Sequence, residues 1–311
     1  MKQIIIIGAG TMGNGIAHSF ALHNFQVRLV DTNPDSLNNA LQTIDQNLSR
    51  QVKKELIQPL QKVQALSNIK LSSSLKESLK EADLVIEAIT ENLEAKRSLF
   101  REIDQFCPSH TILASNTSSI SITTLASVTK RPKQVIGMHF MNPVPVMKLV
   151  EVIRGYETSD ATVSQIMSIA RKLDKTPVEV NDFPGFIANR ILMPMINEAI
   201  YAFYEGVAGK EEIDEVMKLG MAHPMGPLQL ADFIGLDVCL AILRVLYDGF
   251  GNPKYAPCPL LTKMVTAGKL GRKTNEGFYV YDKASTSSLH SFGNLNTQQV
   301  HSTSNNTCSS I

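Results

Sequence analysis

The feature that most constrains the fold is a glycine-rich turn placed directly after the first apolar run. The run Ile4–Ile7 leads into Gly8-Ala9-Gly10-Thr11-Met12-Gly13, and a second apolar run, 26–30, ends at Asp31. In a strand–turn–helix unit such glycines allow a tight turn and the close approach of a pyrophosphate, and the helix N-terminus donates N–H groups to it. An acid after the second strand binds the adenosine ribose and repels a 2′-phosphate. These residues therefore predict a dinucleotide site that takes NAD rather than NADP.

Short apolar runs alternate with helical patterns through the first 182 residues. We predict strands at 4–7, 26–30, 69–71, 84–88, 112–115, 135–140, 147–153 and 176–181. Most of these runs lack polar alternation, as strands buried on both faces do. The pattern predicts an α/β Rossmann-like domain at 1–182, built on a doubly wound parallel sheet, with a polar helix pair at about 35–66 protruding from it.

The pattern changes at Asp182-Phe183-Pro184-Gly185, where Asp182 is predicted to cap a helix and Pro184 fits the first turn of that helix. Apolar helical patterns follow at 186–204, 211–219, 227–250 and 259–267, without convincing strands. We therefore predict a second, all-helical domain at 183–283. Residues 284–311 are rich in Ser, Thr, Asn and Gln and poor in large apolar side chains, so we expect a disordered tail.

Charge and cysteine content narrow the class of protein. Thirty basic and 29 acidic residues give a formal net charge of +1, which provides no basic field for nucleic acid or an anionic membrane. The four cysteines have no CxxC spacing, which indicates a reducing compartment and predicts no metal site. The N-terminal apolar run is too short for a signal peptide, and no run reaches ~18 residues. We expect a cytoplasmic protein that binds neither nucleic acid nor a membrane.

A histidine and a glutamate are predicted to meet where open α/β sheets bind ligands. His139 lies at the carboxyl end of the strand 135–140, and the chain reverses near Pro145 before the strand that carries Glu151. The reversal places Glu151 opposite His139, where a carboxylate fixes the imidazole tautomer and stabilises the imidazolium. A satisfied core histidine is the alternative interpretation, which the nearby carboxylate and the dinucleotide pattern disfavour.

Seven motifs occur in order along the chain. They are Ile7–Gly13, Glu87–Leu93, Ser115–Ser119, His139–Glu151, Pro184–Arg190, His223–Pro227 and Gly271–Tyr279. With these motifs, residues 1–283 resemble the L-3-hydroxyacyl-CoA dehydrogenases, and in size the bacterial 3-hydroxybutyryl-CoA dehydrogenases. The sequence departs from the family pattern at Met141, at Asn275 and in the segment 55–66.

The resemblance implies an NAD-dependent enzyme that interconverts a (3S)-3-hydroxyacyl-CoA and a 3-oxoacyl-CoA in fatty-acid or butanoate metabolism, as a homodimer formed through the helical domain. It implies that His139 is the general base, that Glu151 orients it, and that Ser118 and Asn189 hydrogen-bond the substrate oxygen. The implied cofactor contacts beyond the glycine turn and Asp31 are Glu91, Lys96, Ser118, Asn142 and Lys273. The implied CoA contacts are Asn47, Lys54 and Ser118, with Asn47 standing where the family usually has a serine.

Two other functions remain open at this point. A dehydrogenase of a free small 3-hydroxy acid would use the same groups without CoA. A non-catalytic, crystallin-like or sensor protein would keep only the dinucleotide fold, and the intact set His139, Glu151, Ser118 and Asn189 disfavours it. Taken alone, Ser115–Ser119 is an ordinary helix cap, and Asn189 is a surface or inter-domain contact.

Overall fold

The computed structural model describes residues 3–281, so the tail predicted at 284–311 lies outside the described residues. Each predicted strand is present, with ends shifted by up to two residues. The strands are β1 (Gln3–Ile7), β2 (Gln26–Val30), β3 (Ile69–Ser72), β4 (Leu84–Glu87), β5 (Ile112–Ser115), β6 (Val135–Phe140), β7 (Leu149–Arg154) and β8 (Thr176–Asn181).

The strands form one sheet in the order β3-β2-β1-β4-β5-β6-β7-β8. Neighbouring strands run parallel except β6 and β7, which are antiparallel. This confirms the predicted Rossmann-like, doubly wound fold. The strand order reverses at β1, and ligands of such sheets bind beyond the carboxyl ends of the strands at this point.

Core side chains cover both faces of the sheet. Ile4 and Ile6 of β1 belong to one buried cluster, whereas Ile5 and Ile7 belong to the other. Successive side chains of a strand point to opposite faces, so a strand covered on both faces needs the continuous apolar run seen in the sequence. Within the described residues, no helix is both long enough and apolar enough to cross a bilayer.

Helices connect the strands and form most of the chain after β8. They are α1 (Thr11–Leu22), α2 (Pro34–Lys53), α3 (Pro59–Ser67), α4 (Leu75–Leu79), α5 (Leu93–Phe106), α6 (Ile122–Ala126), α7 (Asp160–Lys172), α8 (Ala188–Tyr204), α9 (Lys210–Gly220), α10 (Pro227–Ile234), α11 (Leu236–Phe250) and α12 (Pro259–Thr266).

The helix pair predicted at about 35–66 is α2 and α3. The side chain of Asn33 caps α2 by accepting from the amide of Asp35, 2.9 Å away. The pair is amphipathic, since α2 buries only a stripe of side chains at helical spacing and turns the rest to solvent. The buried stripe consists of Leu37, Ala40, Ile44 and Leu48.

The compact units of the structure divide the chain differently from the predicted boundary at residue 182. The first unit comprises the described residues up to Glu198 together with Leu240–Pro257, and the second comprises Ala199–Cys239 and the described residues from Cys258 onward. The segment after β8 belongs to the first unit because Phe186 is part of its buried core and Arg190 lies over the ring of Phe250, 4.2 Å from the centroid.

Two local predictions in this part of the chain are wrong. Asp182 does not cap α8, which begins at Ala188; its carboxylate accepts from the amides of Ile122 and Thr123, at 3.1 and 2.7 Å, and so caps α6. The single helix predicted at 227–250 is two helices, α10 and α11. They separate at Gly235, whose φ of +106° is accessible to glycine and strained for other residues.

Candidate active site

The glycine-rich turn lies between β1 and α1 and fits a dinucleotide. Gly8 has φ of +102°, and a Cβ at position 13 would lie 1.7 Å from the carbonyl oxygen of Gly8, so the turn packs closely on the start of the helix. At Gly10, by contrast, a Cβ would meet nothing within 4 Å. The backbone is therefore open to a ligand at the helix N-terminus, where unpaired N–H groups favour a pyrophosphate.

Asp31 follows β2 and reaches this turn. One carboxylate oxygen accepts from the amide of Ala9 at 2.7 Å, and the other accepts from the amide of Asn33 at 2.9 Å. Each carboxylate oxygen has two acceptor sites, so both remain able to accept from the ribose hydroxyls. Gly8, Gly10, Gly13 and Asp31 therefore form the arrangement expected for NAD.

His139 and Glu151 pair across the two antiparallel strands. They are directly opposite in the register of β6 and β7, which confirms the predicted reversal. His139 Nδ1 lies 2.7 Å from Glu151 Oε2, and both side chains are buried. A carboxylate can only accept, so Nδ1 carries a hydrogen, and Nε2 is the atom that can take or give a proton.

The second oxygen of Glu151 binds the start of α8. Glu151 Oε1 accepts from the amides of Ile187 and Ala188, at 3.2 and 2.9 Å. Burial raises the pKa of Glu151, but the bonds from His139, Ala188 and Ile187 outweigh burial and hold the pKa below its usual value. Glu151 is therefore ionised at neutral pH and can orient the imidazole.

Glu91 organises the loop that follows β5. Its Oε1 accepts from the hydroxyl of Thr117 and from the amides of Ser118 and Ser119, both at 3.1 Å. Burial raises the pKa of Glu91, but Lys96 and the hydroxyls of Thr117 and Ser119 outweigh it and lower the pKa. The carboxylate of Glu91 thus sets the position of Ser118.

Lys96 lies beneath this loop rather than at its surface. The side chain is 1% exposed, and Nζ lies 2.6 Å from Glu87 Oε1 and 3.3 Å from Glu91 Oε2. Glu87 is also buried and accepts from the hydroxyl of Ser115. The structure thus pairs Lys96 with two carboxylates, and its predicted contact with the cofactor stays a prediction.

Asn189 and the 115–119 loop are brought together. Asn189 Nδ2 donates to the carbonyl oxygen of Ser118 at 3.1 Å, and Glu151 holds the start of the same helix through Ala188. The sequence interpretation included Asn116 in the 115–119 motif but gave it no role of its own; it is buried and accepts from the amide of Phe140 at 2.9 Å. A polar residue at the end of a buried strand is the signal that could have identified it.

Two of the three predicted CoA contacts, Asn47 and Lys54, lie on α2 or directly after it, whereas Ser118 lies in the loop after β5. Asn47 and Lys54 are seven residues apart, or about two helical turns, and Lys54 is exposed. Arg50 lies between them and donates to Asn47 Oδ1 at 3.1 Å. The sequence interpretation did not single out Arg50, although its i+3 spacing from Asn47 places it on the same face.

The two remaining predicted cofactor contacts differ in their surroundings. Asn142 is exposed in the segment between β6 and β7. Lys273 belongs to the second compact unit, where its ammonium forms an ion pair with Asp237. Among residues 3–281, no group of three or more His, Cys, Asp or Glu side chains is arranged to hold a metal ion.

Two family models match consecutive parts of the chain. The model described as the 3-hydroxyacyl-CoA dehydrogenase NAD binding domain matches residues 3–183. The model described as the C-terminal domain of the same family matches residues 185–281. Together they account for all of the described residues except residue 184.

Individual relatives are similar over the same length. A probable 3-hydroxybutyryl-CoA dehydrogenase of Bacillus subtilis is 57% identical over 283 residues, 91% of this chain and 98% of the relative. A 3-hydroxybutyryl-CoA dehydrogenase of Bradyrhizobium diazoefficiens is 54% identical over 90% of this chain and 96% of its own. The crystal structure of (S)-3-hydroxybutyryl-CoA dehydrogenase from Ralstonia eutropha superposes with a TM-score of 0.89 at 51% identity, covering 91% of this chain and 100% of that one.

Proposed function

The chain belongs to the 3-hydroxyacyl-CoA dehydrogenase family, and we propose that it interconverts (3S)-3-hydroxybutyryl-CoA and acetoacetyl-CoA with NAD(H), in fatty-acid or butanoate metabolism. The observation that carries this proposal is the buried His139–Glu151 pair, 2.7 Å apart, on a sheet whose first turn fits a dinucleotide. The names of the relatives support the four-carbon acyl group.

His139 is the general base of the oxidation. When bound, NAD⁺ would accept the hydride that leaves C3 of the substrate. As the C3–H bond breaks, His139 Nε2 takes the proton of the 3-hydroxyl, and Glu151 stabilises the resulting imidazolium. In the reverse reduction His139 returns that proton to the oxygen.

Ser118 and Asn189 hold the reacting oxygen. Asn189 uses one amide hydrogen on the carbonyl of Ser118, which leaves the second hydrogen for the substrate. Glu91 fixes the backbone of Ser118 from the other side. Donors set in place before the reaction need no reorganisation when charge develops on the oxygen.

The cofactor and CoA contacts complete the proposal. Asp31 binds the adenosine ribose, and Ser118, Asn142 and Lys273 contact the cofactor. Glu91 and Lys96 hold the 115–119 loop at the cofactor site. Lys54 and Arg50 meet the nucleotide phosphates of CoA along α2, with Asn47 beside them. The polar, exposed face of α2 supports this assignment, because two cations on one helix face attract phosphate.

Assembly and location belong to the same proposal. The enzyme forms a homodimer through its helical C-terminal residues and acts in the cytoplasm. Among the described residues, Cys107, Cys239 and Cys258 form no disulfide bond, which supports a reducing compartment. Light scattering on the purified protein measures the mass of the particle, and a monomer would contradict the proposed dimer.

A substrate panel tests the activity. We expect NADH oxidation with acetoacetyl-CoA, and at least tenfold lower kcat/KM with free acetoacetate, because the remote CoA handle supplies binding energy to the reacting centre. Equal rates on both substrates would favour a dehydrogenase of free 3-hydroxy acids. No turnover of either substrate, with NADH bound, would reject the proposed reaction.

A further inference from the structure

A buried lysine that the proposed reaction does not use lies in the turn between α7 and β8. Lys175 is 8% exposed, and its Nζ donates to the carbonyl oxygens of Val144 and Met147, at 2.5 and 2.7 Å. A buried ammonium is costly unless its donors are satisfied. Here the acceptors are two main-chain carbonyls of one loop, so Lys175 fixes backbone rather than neutralising a carboxylate.

The loop that Lys175 holds is residues 141–148, which join β6 to β7. Within this loop, the amides of Val146 and Met147 both donate to the carbonyl of Pro143 at 3.0 Å. Val144 is buried against α1, since a Cβ at Gly15 would lie 2.9 Å from Val144 Cβ. The 141–148 loop is therefore held between Lys175 on one side and the helix of the dinucleotide turn on the other.

In the described part of the chain, no charged group around Lys175 stabilises its ammonium as strongly as the two carbonyls do. Burial and, to a smaller extent, the charge of Lys148 lower the pKa of Lys175 to about 8, although Asp174 acts in the opposite direction. Asp174 forms its own surface ion pair with Lys148. On α1, burial lowers the pKa of His18 to about 4, so His18 is neutral at pH 7 and adds no charge beside the ammonium.

The two ends of the loop are secured independently of Lys175. Phe140 pairs with Val150, and His139 with Glu151, in the ladder between β6 and β7. Strand pairing therefore keeps His139 and Glu151 together even if the middle of the loop moves. The middle of the loop is what Lys175 restrains, and it begins at the exposed Asn142.

We propose that Lys175 is a positioning residue for the cofactor: its ammonium binds the carbonyls of Val144 and Met147 and thereby fixes the 141–148 loop so that Asn142 meets the nicotinamide end of NAD(H). This inference rests on the proposed function for the role of Asn142. It adds a residue outside the glycine turn, in the connection between α7 and β8, to the set that determines NADH affinity.

The test compares Lys175→Met with the control Lys148→Met. The control removes a neighbouring positive charge that is exposed and paired with Asp174. NADH affinity is measured by fluorescence titration, and KM for acetoacetyl-CoA by steady-state kinetics. We expect the Kd of NADH to rise about tenfold in Lys175→Met, as loss of a buried charge-assisted hydrogen bond does. In the same variant, KM for acetoacetyl-CoA should stay within about twofold, and Lys148→Met should match the unmodified protein.

A double-mutant cycle separates positioning from general damage. If Lys175 acts through Asn142, Lys175→Met should weaken NADH binding far less in an Asn142→Ala background than alone. Additive effects, an unchanged NADH affinity in Lys175→Met, or an Asn142→Ala variant with normal affinity would each overturn the proposal. Failure of the proposed reaction is distinguishable, because it would abolish turnover and leave the NADH titrations interpretable.

Hydrogen exchange gives a second readout. In Lys175→Met the amides of Val146 and Met147 should exchange faster, while those of β1 keep their protection. If Lys175→Met does not fold, Lys175→Gln, which keeps neutral donors, replaces it, and the same faster exchange and weaker NADH binding are expected. Unchanged exchange in the loop of a folded variant would contradict the role given to Lys175.

Discussion

The His139 site and the α2–α3 helix pair satisfy their polar groups in opposite ways. His139 and Glu151 are buried, and Glu151 uses both oxygens on three protein donors. Lys53 and Lys54, at the end of α2, are exposed to solvent. At the His139 site, the register of β6 and β7 fixes the distance between His139 and Glu151. At the helix pair, the lysine ammonium groups are flexible and water screens their charge. We therefore expect large losses from single changes in the first region and small, graded losses in the second.

The largest expected effect is that of His139→Gln. Loss of a positioned general base should lower kcat by roughly 10²- to 10⁴-fold. NADH affinity and melting temperature should stay close to those of the unmodified protein, since the amide can still bond Glu151. Stopped-flow turnover, fluorescence titration and thermal denaturation measure the three quantities. Near-normal turnover in a stable variant would show that His139 is not the base.

Glu151→Gln should have the next largest effect. The amide carbonyl can still accept from Ala188, but its NH₂ group then faces His139 Nδ1 and favours the wrong tautomer. We expect kcat to fall roughly 10- to 10²-fold through this misorientation and the lost negative charge. Glu179→Gln, on the exposed side of β8, is the matched control, and its kcat should be unchanged. Equal kcat values for the two variants would remove Glu151 from the mechanism.

Asp31 is partly exposed, and its replacement should change cofactor preference by less than the changes at His139 or Glu151 lower kcat. The unmodified enzyme should prefer NADH to NADPH, because the Asp31 carboxylate repels a 2′-phosphate. Asp31→Ser should narrow that preference by roughly tenfold, the cost of about 1.4 kcal/mol. The ratio of kcat/KM for the two cofactors measures it, with the exposed Asp35→Ser as control. A preference of the unmodified enzyme for NADPH would refute the assignment.

The smallest expected effect is on the helix pair. A Lys53→Ala, Lys54→Ala double variant should lower kcat/KM for acetoacetyl-CoA a few-fold to about tenfold, since exposed charges interact weakly. Activity on acetoacetyl-pantetheine, which lacks the nucleotide phosphates, should be unaltered, and Lys80→Ala should affect neither substrate. An equal loss on both substrates would place the defect in folding or domain closure rather than in CoA binding. A hundredfold loss on acetoacetyl-CoA would show that the helix pair contributes as strongly as the His139 site.

The elements of this fold could be predicted because their signals are local. The run Ile4–Ile7 is apolar throughout since β1 is buried on both faces, and Asn142-Pro143-Val144-Pro145 enforces the reversal that sets His139 against Glu151. The position of Asp31 after β2 similarly follows from strand length. In each case the residues that determine the geometry are neighbours in sequence.

The contacts that sequence could not predict join residues far apart in the chain. Asp182 caps α6, some 60 residues earlier, although a helix start lies closer to it in sequence. The residue type of Lys96 does not indicate whether its side chain is exposed or buried. Only the folded structure shows that it lies between Glu87 and Glu91. The side chain of Lys175 likewise acquires its acceptors from a loop that precedes it by about 30 residues.

The direct opposition of His139 and Glu151 determines where the chain can change length. A strand has a side-chain period of two, so one residue inserted into β7 before Glu151 would turn that carboxylate to the other face of the sheet. An added residue within 141–148 leaves the ladder in register. The His139–Glu151 pairing should therefore survive an insertion in the connection more readily than one in either strand, and a library of single-residue insertions across 135–154 would map that limit.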